Sequence, residues 1–219
     1  MTQPGIQYAL FDVDDTIYPK SAGVMGVVSK RIDGFMASRL GMDETLIGQL
    51  RQRYWQEYGT TMRGLLEEYH IDAEDYLSYV HDFTIDDLLT RNDRLDRVLA
   101  GLSWHKVIFT NAPAQHARQV LEALDVAHHF ERIFGVRETG FVGKPDPRAF
   151  RYVLTELGVQ GDVCIALDDS IPNLKTAKSL SMVAVLVGSA QLVDGVDFAI
   201  SSIEEVAEVA RDLASGWPA

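Results

Sequence analysis

The hydrophobic positions of the chain form short continuous apolar runs and longer stretches with a helical period. Five runs rich in aliphatic and β-branched residues lie at 6–11, 106–110, 131–134, 163–167 and 183–187. All but the third are almost continuously apolar, as expected for strands covered on both faces. Helical patterns such as 114–124 and 147–157 alternate with the later runs, while 197–200 fits a short edge strand and 203–213 a closing helix. This alternation predicts an α/β fold, with a parallel sheet between two layers of helices.

The connection between the first two runs is much longer than the others. About ninety residues separate them, whereas a crossover between parallel strands needs only ~12 residues. Apolar stripes with helical spacing fill this stretch, beginning with Val24, Val28, Ile32 and Phe35. The sequence therefore predicts a helical cap domain at 18–99, inserted into a core domain formed by 1–17 and 100–219.

Composition and charge narrow the expected partners and location. A chain of 219 residues with 47% hydrophobic content can bury one substantial core and a smaller second one. The net charge of -12 disfavours binding to nucleic acid or to an anionic membrane. We expect a cytoplasmic location, because no apolar run approaches the ~20 residues that span a bilayer and no secretion signal is recognisable. The single cysteine, Cys164, excludes a disulfide within the chain and fits a buried core position.

Two acidic clusters follow predicted strands. Asp12 and Asp14 come directly after the first run, and Asp168 and Asp169 follow the fourth. In an extended segment, Asp12 and Asp14 point to one face and Asp15 to the other. Carboxylates from separate strands at the carboxyl edge of a parallel sheet lie where α/β proteins have their active sites, and their oxygens suit Mg²⁺. The sequence predicts a magnesium site there, with a solvated acidic loop or helix capping as the simpler alternatives.

Two further strand exits carry residues suited to a phosphate. Thr110 and Asn111 follow the second run just before a helix N-terminus, whose free N–H groups can bind an anion. Asn111 is equally compatible with a plain helix cap. Lys144 lies between a glycine and a proline in a short loop, where its charge can neutralise a phosphoryl oxygen and hold Asp12 as an anion. Asp146 is expected to cap the helix that follows.

The order of these residues resembles the haloacid dehalogenase-like (HAD) superfamily. Its four motifs match DVDDT from Asp12, the Thr110-Asn111 pair, GKPDP around Lys144, and DDSIPN from Asp168. The resemblance implies a Rossmann-like sheet as the core, with a helical cap domain inserted after the first motif. It also implies specific roles: the nucleophile Asp12, the general acid/base Asp14, the charge stabiliser Lys144, phosphate contacts at Thr110, Asn111 and Lys144, and a Mg²⁺ site at Asp12, Asp14, Asp168 and Asp169.

The mechanism expected from these residues has two steps. Asp12 attacks the phosphorus of a monoester while Asp14 protonates the departing alkoxide, and water activated by Asp14 then hydrolyses the aspartyl-phosphate. The first step requires a raised pKa of Asp14. Crowding by neighbouring acids and burial under the cap domain are expected to raise it.

Strings within and before the insertion resemble the pyrimidine 5′-nucleotidase branch of the superfamily, namely LFD running on to IYP, then YGTTMRGL and DYLSYVHD. This narrower resemblance implies a small-molecule phosphomonoester as partner, specifically a nucleoside monophosphate. We expect a monomer or a weak homodimer. Candidate substrate contacts are Tyr18, Tyr58, Arg63 and His81. Packing is the commoner role for tyrosines on helical stripes, His81 also fits a helix cap, and Arg63 fits a surface salt bridge.

Alternative functions remain open. A phosphatase or phosphomutase for a small sugar phosphate retains the same motifs and differs in the cap domain. A hydrolytic dehalogenase also uses an aspartate nucleophile, but it needs neither Mg²⁺ nor the acid at Asp14. A phosphate-binding regulator without catalysis is a further alternative, although all the main polar positions are intact.

Overall fold

The computed structural model describes residues 5–216, and within them a single six-stranded sheet organises the chain. Every neighbouring pair of strands is parallel, and their spatial order is β3-β2-β1-β4-β5-β6. The strands are β1 (Tyr8–Phe11), β2 (His105–Phe109), β3 (Arg132–Phe134), β4 (Cys164–Asp168), β5 (Val183–Val187) and β6 (Phe198–Ile200). The predicted edge strand at 197–200 is therefore present as β6.

Helices fill most of the remaining described sequence. Four of them form the first part of the connection between β1 and β2: α1 (Val24–Ser38), α2 (Glu44–Tyr58), α3 (Thr61–Tyr69) and α4 (Ala73–His81). The others alternate with the strands: α5 (Asp93–Gly101), α6 (Ala114–Ala123), α7 (Pro147–Leu157), α8 (Ile171–Ser179) and α9 (Val206–Ala214). Short 3₁₀ turns at Lys20–Ala22, Ala127–His129, Gly161–Val163 and Ile203–Glu205 join several of these elements. None of the helices in the described range is long and apolar enough to cross a membrane.

The strands bury both of their faces. In β1, Phe11 packs with the hydrophobic cluster on one side of the sheet and Leu10 with the cluster on the other side. Helices α5, α6 and α9 contribute to the first cluster, and α7 and α8 to the second. Because side chains alternate along a strand, both sides of the sheet need a helical layer, which explains the continuous apolar runs. The predicted α/β class and the three-layer Rossmann-like core are confirmed.

Local sequence sets the ends of α7, the helix that follows the lysine loop. The Asp146 side chain accepts a hydrogen bond of 2.9 Å from the Arg148 backbone N–H, and Pro147 occupies the first turn. Gly158 ends the helix in the left-handed region, at φ +70°. An N-cap acid, an early proline and a terminal glycine are the usual signals for helix ends. The predicted capping role of Asp146 is confirmed.

Helices α1 to α4 supply most of a third hydrophobic cluster, which Val136 also joins. Its buried members include Phe35 from α1, Tyr54 from α2, Leu65 from α3 and Leu77 from α4. Leu95 and Leu99 of α5, by contrast, pack in the cluster beside the sheet. The division into a core domain and a cap domain at 18–99 remains a prediction.

Candidate active site

The polar residues of the site lie at the carboxyl ends of three central strands. Phe11, the last residue of β1, pairs with Ile108 of β2 on one side and Leu167 of β4 on the other. The Asp12 N–H then donates to the Leu167 carbonyl at 2.9 Å, which continues the parallel ladder by one residue. Because the strands are in register, Asp12, Thr110 and Asp168 emerge at the same edge of the sheet.

Lys144 lies between two of these carboxylates. Its Nζ is 2.9 Å from Asp12 Oδ1 and 2.6 Å from Asp168 Oδ2, and the side chain is only 3% exposed. Burial disfavours the charged lysine, but attraction to the two carboxylates outweighs burial and raises the pKa of Lys144. Burial raises the pKa of Asp12, an effect that Lys144 opposes and that the nearby Asp168 and Asp14 reinforce. Lys144 is therefore a fixed cation that opposes the rise in the Asp12 pKa, although the net pKa of Asp12 stays above its usual value.

Asn111 fixes the backbone of the lysine loop. Its Nδ2 donates to the Lys144 carbonyl at 2.9 Å, and its Oδ1 accepts from the Lys144 N–H at 2.7 Å. A Cβ atom at Gly143 would lie 2.7 Å from Asn111 Oδ1, so only glycine fits beside this pair of hydrogen bonds. Asn111 thus holds Lys144 in position with both polar atoms of its side chain.

Thr110 is buried next to Asn111. Its hydroxyl accepts a hydrogen bond of 3.0 Å from the Ala112 N–H, one turn before α6 begins. Pro113 precedes the helix and has no side chain that caps it. The N–H groups at the start of α6 are therefore not satisfied by a side-chain cap, and the Thr110 hydroxyl lies beside them.

Thr16 and Asn173 support the two acidic clusters. The Thr16 hydroxyl lies 3.5 Å from Asp12 Oδ2 and accepts from the Asp169 N–H at 3.1 Å. Asn173 Nδ2 donates to both oxygens of Asp168, at 2.9 and 3.1 Å. These contacts link the loop after β1 with the start of α8 and fix the orientation of the Asp168 carboxylate.

Asp12, Asp168 and Asp169 form a group that fits a hard cation. Each offers one carboxylate oxygen, and the three oxygens lie within 4.8 Å of one another. Partial burial, followed by repulsion from Asp168 and Asp15, raises the pKa of Asp169 to about 6. Part of this residue remains exposed to solvent. A bound cation would relieve this repulsion. An all-oxygen donor set of few carboxylates fits Mg²⁺, which retains several water or substrate ligands.

The Asp14 carboxylate points to a different set of partners. Its Oδ1 accepts from the Tyr18 hydroxyl at 2.5 Å and lies 2.8 Å from His116 Nε2, and it is not a member of the three-carboxylate group. Turn hydrogen bonds from the Thr16 and Ile17 N–H groups to the Val13 carbonyl end the extended geometry, which is why the pairing expected from simple alternation fails.

The pKa of Asp14 is lowered, which corrects the expectation of a raised value. Burial raises the pKa of this carboxyl, but the hydrogen bond and charge of His116, together with the Tyr18 hydroxyl, outweigh it. Asp14 is therefore an anion at neutral pH. Burial, followed by the charge and the hydrogen bond of Asp14, raises the pKa of the Tyr18 hydroxyl.

The four predicted substrate contacts have partners within the protein. Tyr18 is buried against Asp14, and Tyr58 bonds Glu68 Oε1 at 3.1 Å. Arg63 forms an ion pair with Glu67, one turn further along α3. His81 Nδ1 lies 3.1 Å from the Leu77 carbonyl in the last turn of α4. The helix-end role for His81 and the salt bridge for Arg63 are both present.

His81 and the turn after α2 lie beside the site. The His81 ring packs edge-on against His116, with 4.9 Å between the ring centroids. A Cβ on Gly59 would lie 2.6 Å from Pro145 Cδ, next to the Lys144 carbonyl. The helices inserted after β1 therefore contact both the Asp14 pair and the lysine loop.

His116, Thr16 and Asn173 were not among the predicted site residues. Thr16 and Asn173 fall within the strings DVDDT and DDSIPN, so their positions in the motifs could have indicated them. His116 is 102 positions from Asp14 and is only 1% exposed. Nothing local in the sequence indicates this pair, because the direction of α6 across the sheet brings the two residues together.

Comparison with known proteins agrees with this geometry. The family model described as "Hydrolase: haloacid dehalogenase-like hydrolase" matches residues 6–180 of the chain. Phosphate metabolism protein 8 of Saccharomyces cerevisiae is 28% identical over 194 residues, covering 82% of this chain and 60% of that protein. Phosphoglycolate phosphatase of Rhodospirillum rubrum is 34% identical over 80 residues, covering 36% of this chain and 33% of that enzyme. The chain thus matches 60% and 33% of the lengths of these two curated relatives.

Solved structures share the fold at low sequence identity. The HAD-hydrolase YfnB from Bacillus subtilis, bound to magnesium, superposes with a TM-score of 0.62 at 18% identity, covering 94% of this chain and 99% of that one. L-2-haloacid dehalogenase from Xanthobacter autotrophicus gives a TM-score of 0.61 at 15% identity, covering 94% and 98%. At such identities the similarity establishes the fold and leaves the reaction to the residues of the site.

Proposed function

Since this chain belongs to the haloacid dehalogenase-like hydrolase family, we propose that it is a Mg²⁺-dependent phosphomonoester hydrolase that forms an aspartyl-phosphate on Asp12. The observation that carries the proposal is the position of Asp12. Its carboxylate bonds Lys144 at 2.9 Å and lies within the group formed with Asp168 and Asp169, while Asp14 follows two residues later. A nucleophile, a fixed cation, a cation-binding group and a separate acid are what stepwise phosphoryl transfer needs.

In the first step an Asp12 oxygen forms a bond to phosphorus as the ester P–O bond breaks. The leaving alkoxide takes a proton from the Asp14 carboxyl. In the second step water attacks the phosphorus of the aspartyl-phosphate, Asp14 accepts a proton from this water, and the Asp12 carboxylate is regenerated with release of phosphate. Lys144 and the N–H groups at the start of α6 stabilise the negative charge on the phosphoryl oxygens, with the Thr110 hydroxyl alongside.

Asp14 must gain a proton before the first step, although His116 and Tyr18 lower its pKa. A phosphoryl dianion bound nearby adds negative charge and excludes water, and both effects raise the pKa of a carboxyl group. The hydrogen bond of 2.8 Å to His116 orients the carboxylate while this change occurs. His116 is thus a positioning residue for Asp14.

Mg²⁺ would be held by Asp12, Asp168 and Asp169 and supplies positive charge for the phosphoryl oxygens when bound. The magnesium bound to YfnB is a property of that protein. In this chain the proposal rests on the three convergent carboxylates. Burial, followed by repulsion from Asp168 and Asp15, raises the pKa of Asp169, and a cation would relieve the part due to Asp168.

We propose nucleoside monophosphates as the substrate class, with the residues at 18–99 acting as a cap domain that selects the leaving group. The basis is the resemblance of the strings in this region to pyrimidine 5′-nucleotidases. This region lies beside the site, since Tyr18 bonds Asp14 and His81 packs on His116. Tyr58 and Arg63, which lie on either side of the Gly59 turn next to Pro145, are the further candidates for base or sugar contacts.

A small phosphorylated acid or sugar is the second candidate substrate. The specific observation in its favour is the local match to phosphoglycolate phosphatase, which is limited to 80 residues. A hydrolytic dehalogenase, the activity of a structural neighbour, is less consistent with the site. It has no need for the acid at Asp14 or for the group of three carboxylates.

The test measures phosphate release from a panel of nucleoside monophosphates, sugar phosphates and phosphoglycolate, first with Mg²⁺ and then with a chelator. The same panel includes 2-chloropropionate, with chloride as the readout. We expect Mg²⁺-dependent release with UMP or CMP as the best substrates. Asp12→Asn should abolish it. Asp15→Asn is the matched control, because Asp15 is an aspartate of the same loop at φ +55°, a conformation that asparagine tolerates.

The possible outcomes distinguish the proposed substrate from the proposed reaction. Release from sugar phosphates or phosphoglycolate alone would reject the nucleotide preference and keep the hydrolase. Transfer of phosphate between positions of one sugar without net release would indicate a mutase. Chloride release without phosphate release, or full phosphatase activity in Asp12→Asn, would overturn the proposed reaction.

A further inference from the structure

A second cluster of metal-ligating side chains lies away from the active site. It consists of Asp96 in α5 and the consecutive residues His128 and His129 in the 3₁₀ turn Ala127–His129. Helix α6 starts at the carboxyl end of β2 and leads back to the start of β3, so this turn lies at the amino edge of the sheet. The carboxylates of Asp12 and Asp168 lie at the opposite edge. The cluster is therefore independent of the proposed phosphatase chemistry.

Two histidine rings converge on one carboxylate oxygen. His129 Nε2 is 2.7 Å and His128 Nε2 is 3.1 Å from Asp96 Oδ1, and the ring centroids are 4.0 Å apart. The ligand atoms of all three residues lie within 4.8 Å of one another. Adjacent residues in a turn usually direct their side chains apart, so the convergence of both rings on Asp96 is a specific feature of this turn.

The donor set selects the class of ion. Two imidazole nitrogens and one carboxylate oxygen suit Zn²⁺ and its transition-metal neighbours, whereas Mg²⁺ and Ca²⁺ prefer oxygen ligands throughout. Zinc bonds of ~2.0–2.1 Å in tetrahedral geometry separate the ligand atoms by roughly 3.3 Å. The observed separations of the histidine nitrogens from Asp96 Oδ1, 2.7 and 3.1 Å, would need to open by roughly 0.6 and 0.2 Å to admit the ion.

Burial and charge around the cluster are compatible with an accessible ion. The His129 side chain is 11% exposed and anchors the site, while His128 is 61% exposed and leaves room for water as a fourth ligand. Arg91 is the nearby opposing charge, and it is paired with Asp93 and, at 2.8 Å, with Asp125. The chain as a whole carries a net charge of -12, which favours cations.

We propose that Asp96, His128 and His129 form a binding site for a divalent transition-metal ion of the Zn²⁺ class. The backbone already connects the two elements involved, because the Asn92 N–H donates to the Leu124 carbonyl at 3.0 Å. The bound ion would cross-link Asp96, near the start of α5, to the two histidines in the turn before β3. Binding to the folded state alone would stabilise the protein against unfolding.

The test is isothermal titration of the full chain with ZnCl₂ in excess Mg²⁺, together with thermal unfolding in Zn²⁺ and in chelator. We expect one Zn²⁺ site and a higher Tm in Zn²⁺. Asp96→Asn and His128→Ala should each weaken binding by more than about tenfold, since even outer partners of metal ligands cost that much. His105→Ala is the matched control, because His105 is a 56% exposed histidine paired with Glu131. It should bind Zn²⁺ like the unmodified chain.

Two further measurements check that the variants fold and that Zn²⁺ binds at the proposed site. Unfolding in chelator checks that the variants fold, and the exposed His128 is the safest site for substitution. Asp169→Asn should retain the Zn²⁺ site, because it alters only the other carboxylate group. Absence of Zn²⁺ binding, binding unchanged by Asp96→Asn, or binding lost only in Asp169→Asn would each overturn the proposal.

Discussion

Replacement of Lys144 with methionine removes a positive charge from between two carboxylates while keeping a side chain of similar length. The lysine is 3% exposed, and its Nζ lies 2.9 Å from Asp12 Oδ1 and 2.6 Å from Asp168 Oδ2. The variant therefore leaves two acidic groups close together with little access to water. We expect it to be strongly destabilised at neutral pH in the presence of a chelator.

The size of the effect follows from the geometry. At an effective dielectric constant of ~20, unit charges at 2.9 and 2.6 Å attract each other by about 6 kcal/mol per pair. The cost of removing three charges from water cancels much of this attraction. Breaking a buried ion pair by deletion of one partner typically costs about 3–5 kcal/mol, and we expect a loss of that order for Lys144→Met. Mg²⁺ should restore part of it by supplying a positive charge.

The assay is urea unfolding of the unmodified chain and of Lys144→Met, in chelator and in Mg²⁺, repeated at several pH values. Lys178→Met is the matched control. Lys178 is also 2.7 Å from an aspartate, Asp197, but its side chain is 46% exposed. An exposed pair contributes about 0–1 kcal/mol, so this control should remain close to the unmodified chain.

The pH dependence of the stability of Lys144→Met tests this reasoning further. Burial already raises the pKa of Asp12, and loss of Lys144 removes the effect that opposes it. A carboxyl whose pKa is higher in the folded state binds more protons there than in the unfolded chain, so the deficit of the variant should shrink as the pH falls. If the variant matched the control in chelator at neutral pH, or if its deficit grew on acidification, the reasoning about this buried charge would be wrong.

Three further predictions concern the surroundings of the site. His116→Ala should lower kcat by up to about a hundredfold with little change in KM, because Asp14 loses the partner that orients it. Partial recovery in His116→Gln is expected, and equal kcat in all three proteins would contradict the positioning role. Gly59→Ala should destabilise the protein by about 1–3 kcal/mol more than Gly41→Ala in urea unfolding. Both glycines have positive φ, +82° and +65°, but only at Gly59 would the new Cβ meet an atom within 4 Å; equal losses would argue against this contact. Burial, followed by the repulsion of His116, lowers the pKa of His81 from 6.5 to about 4. The unfolded chain then binds more protons, so the contribution of neutral His81 is complete above pH 6.5 and is lost as the pH falls towards 4, by up to about 3 kcal/mol. His81→Asn should flatten the pH dependence of unfolding in this window, and an unchanged slope would refute the assignment.

The sequence by itself determined the class of fold and the edge of the sheet that carries the site. Continuous apolar runs predicted the central strands because both of their faces are covered, and polar residues directly after them predicted the positions of Asp12, Thr110 and Asp168. Short-range signals also set the end of α7, where Asp146 caps the helix. Such features are predictable because they depend on a few neighbouring residues and on a fixed backbone period.

The tertiary structure alone decided how these residues are paired and charged. Asn111 was a candidate phosphate ligand, yet its side chain holds the backbone of Lys144, 33 positions away. Asp14 was expected to have a raised pKa, but His116 from α6 lowers it. The turn hydrogen bonds at the Val13 carbonyl direct Asp14 away from the cation-binding group. A pKa is set by the charges and donors within a few ångströms, and distant segments supply those neighbours only after the sheet has brought them to one edge.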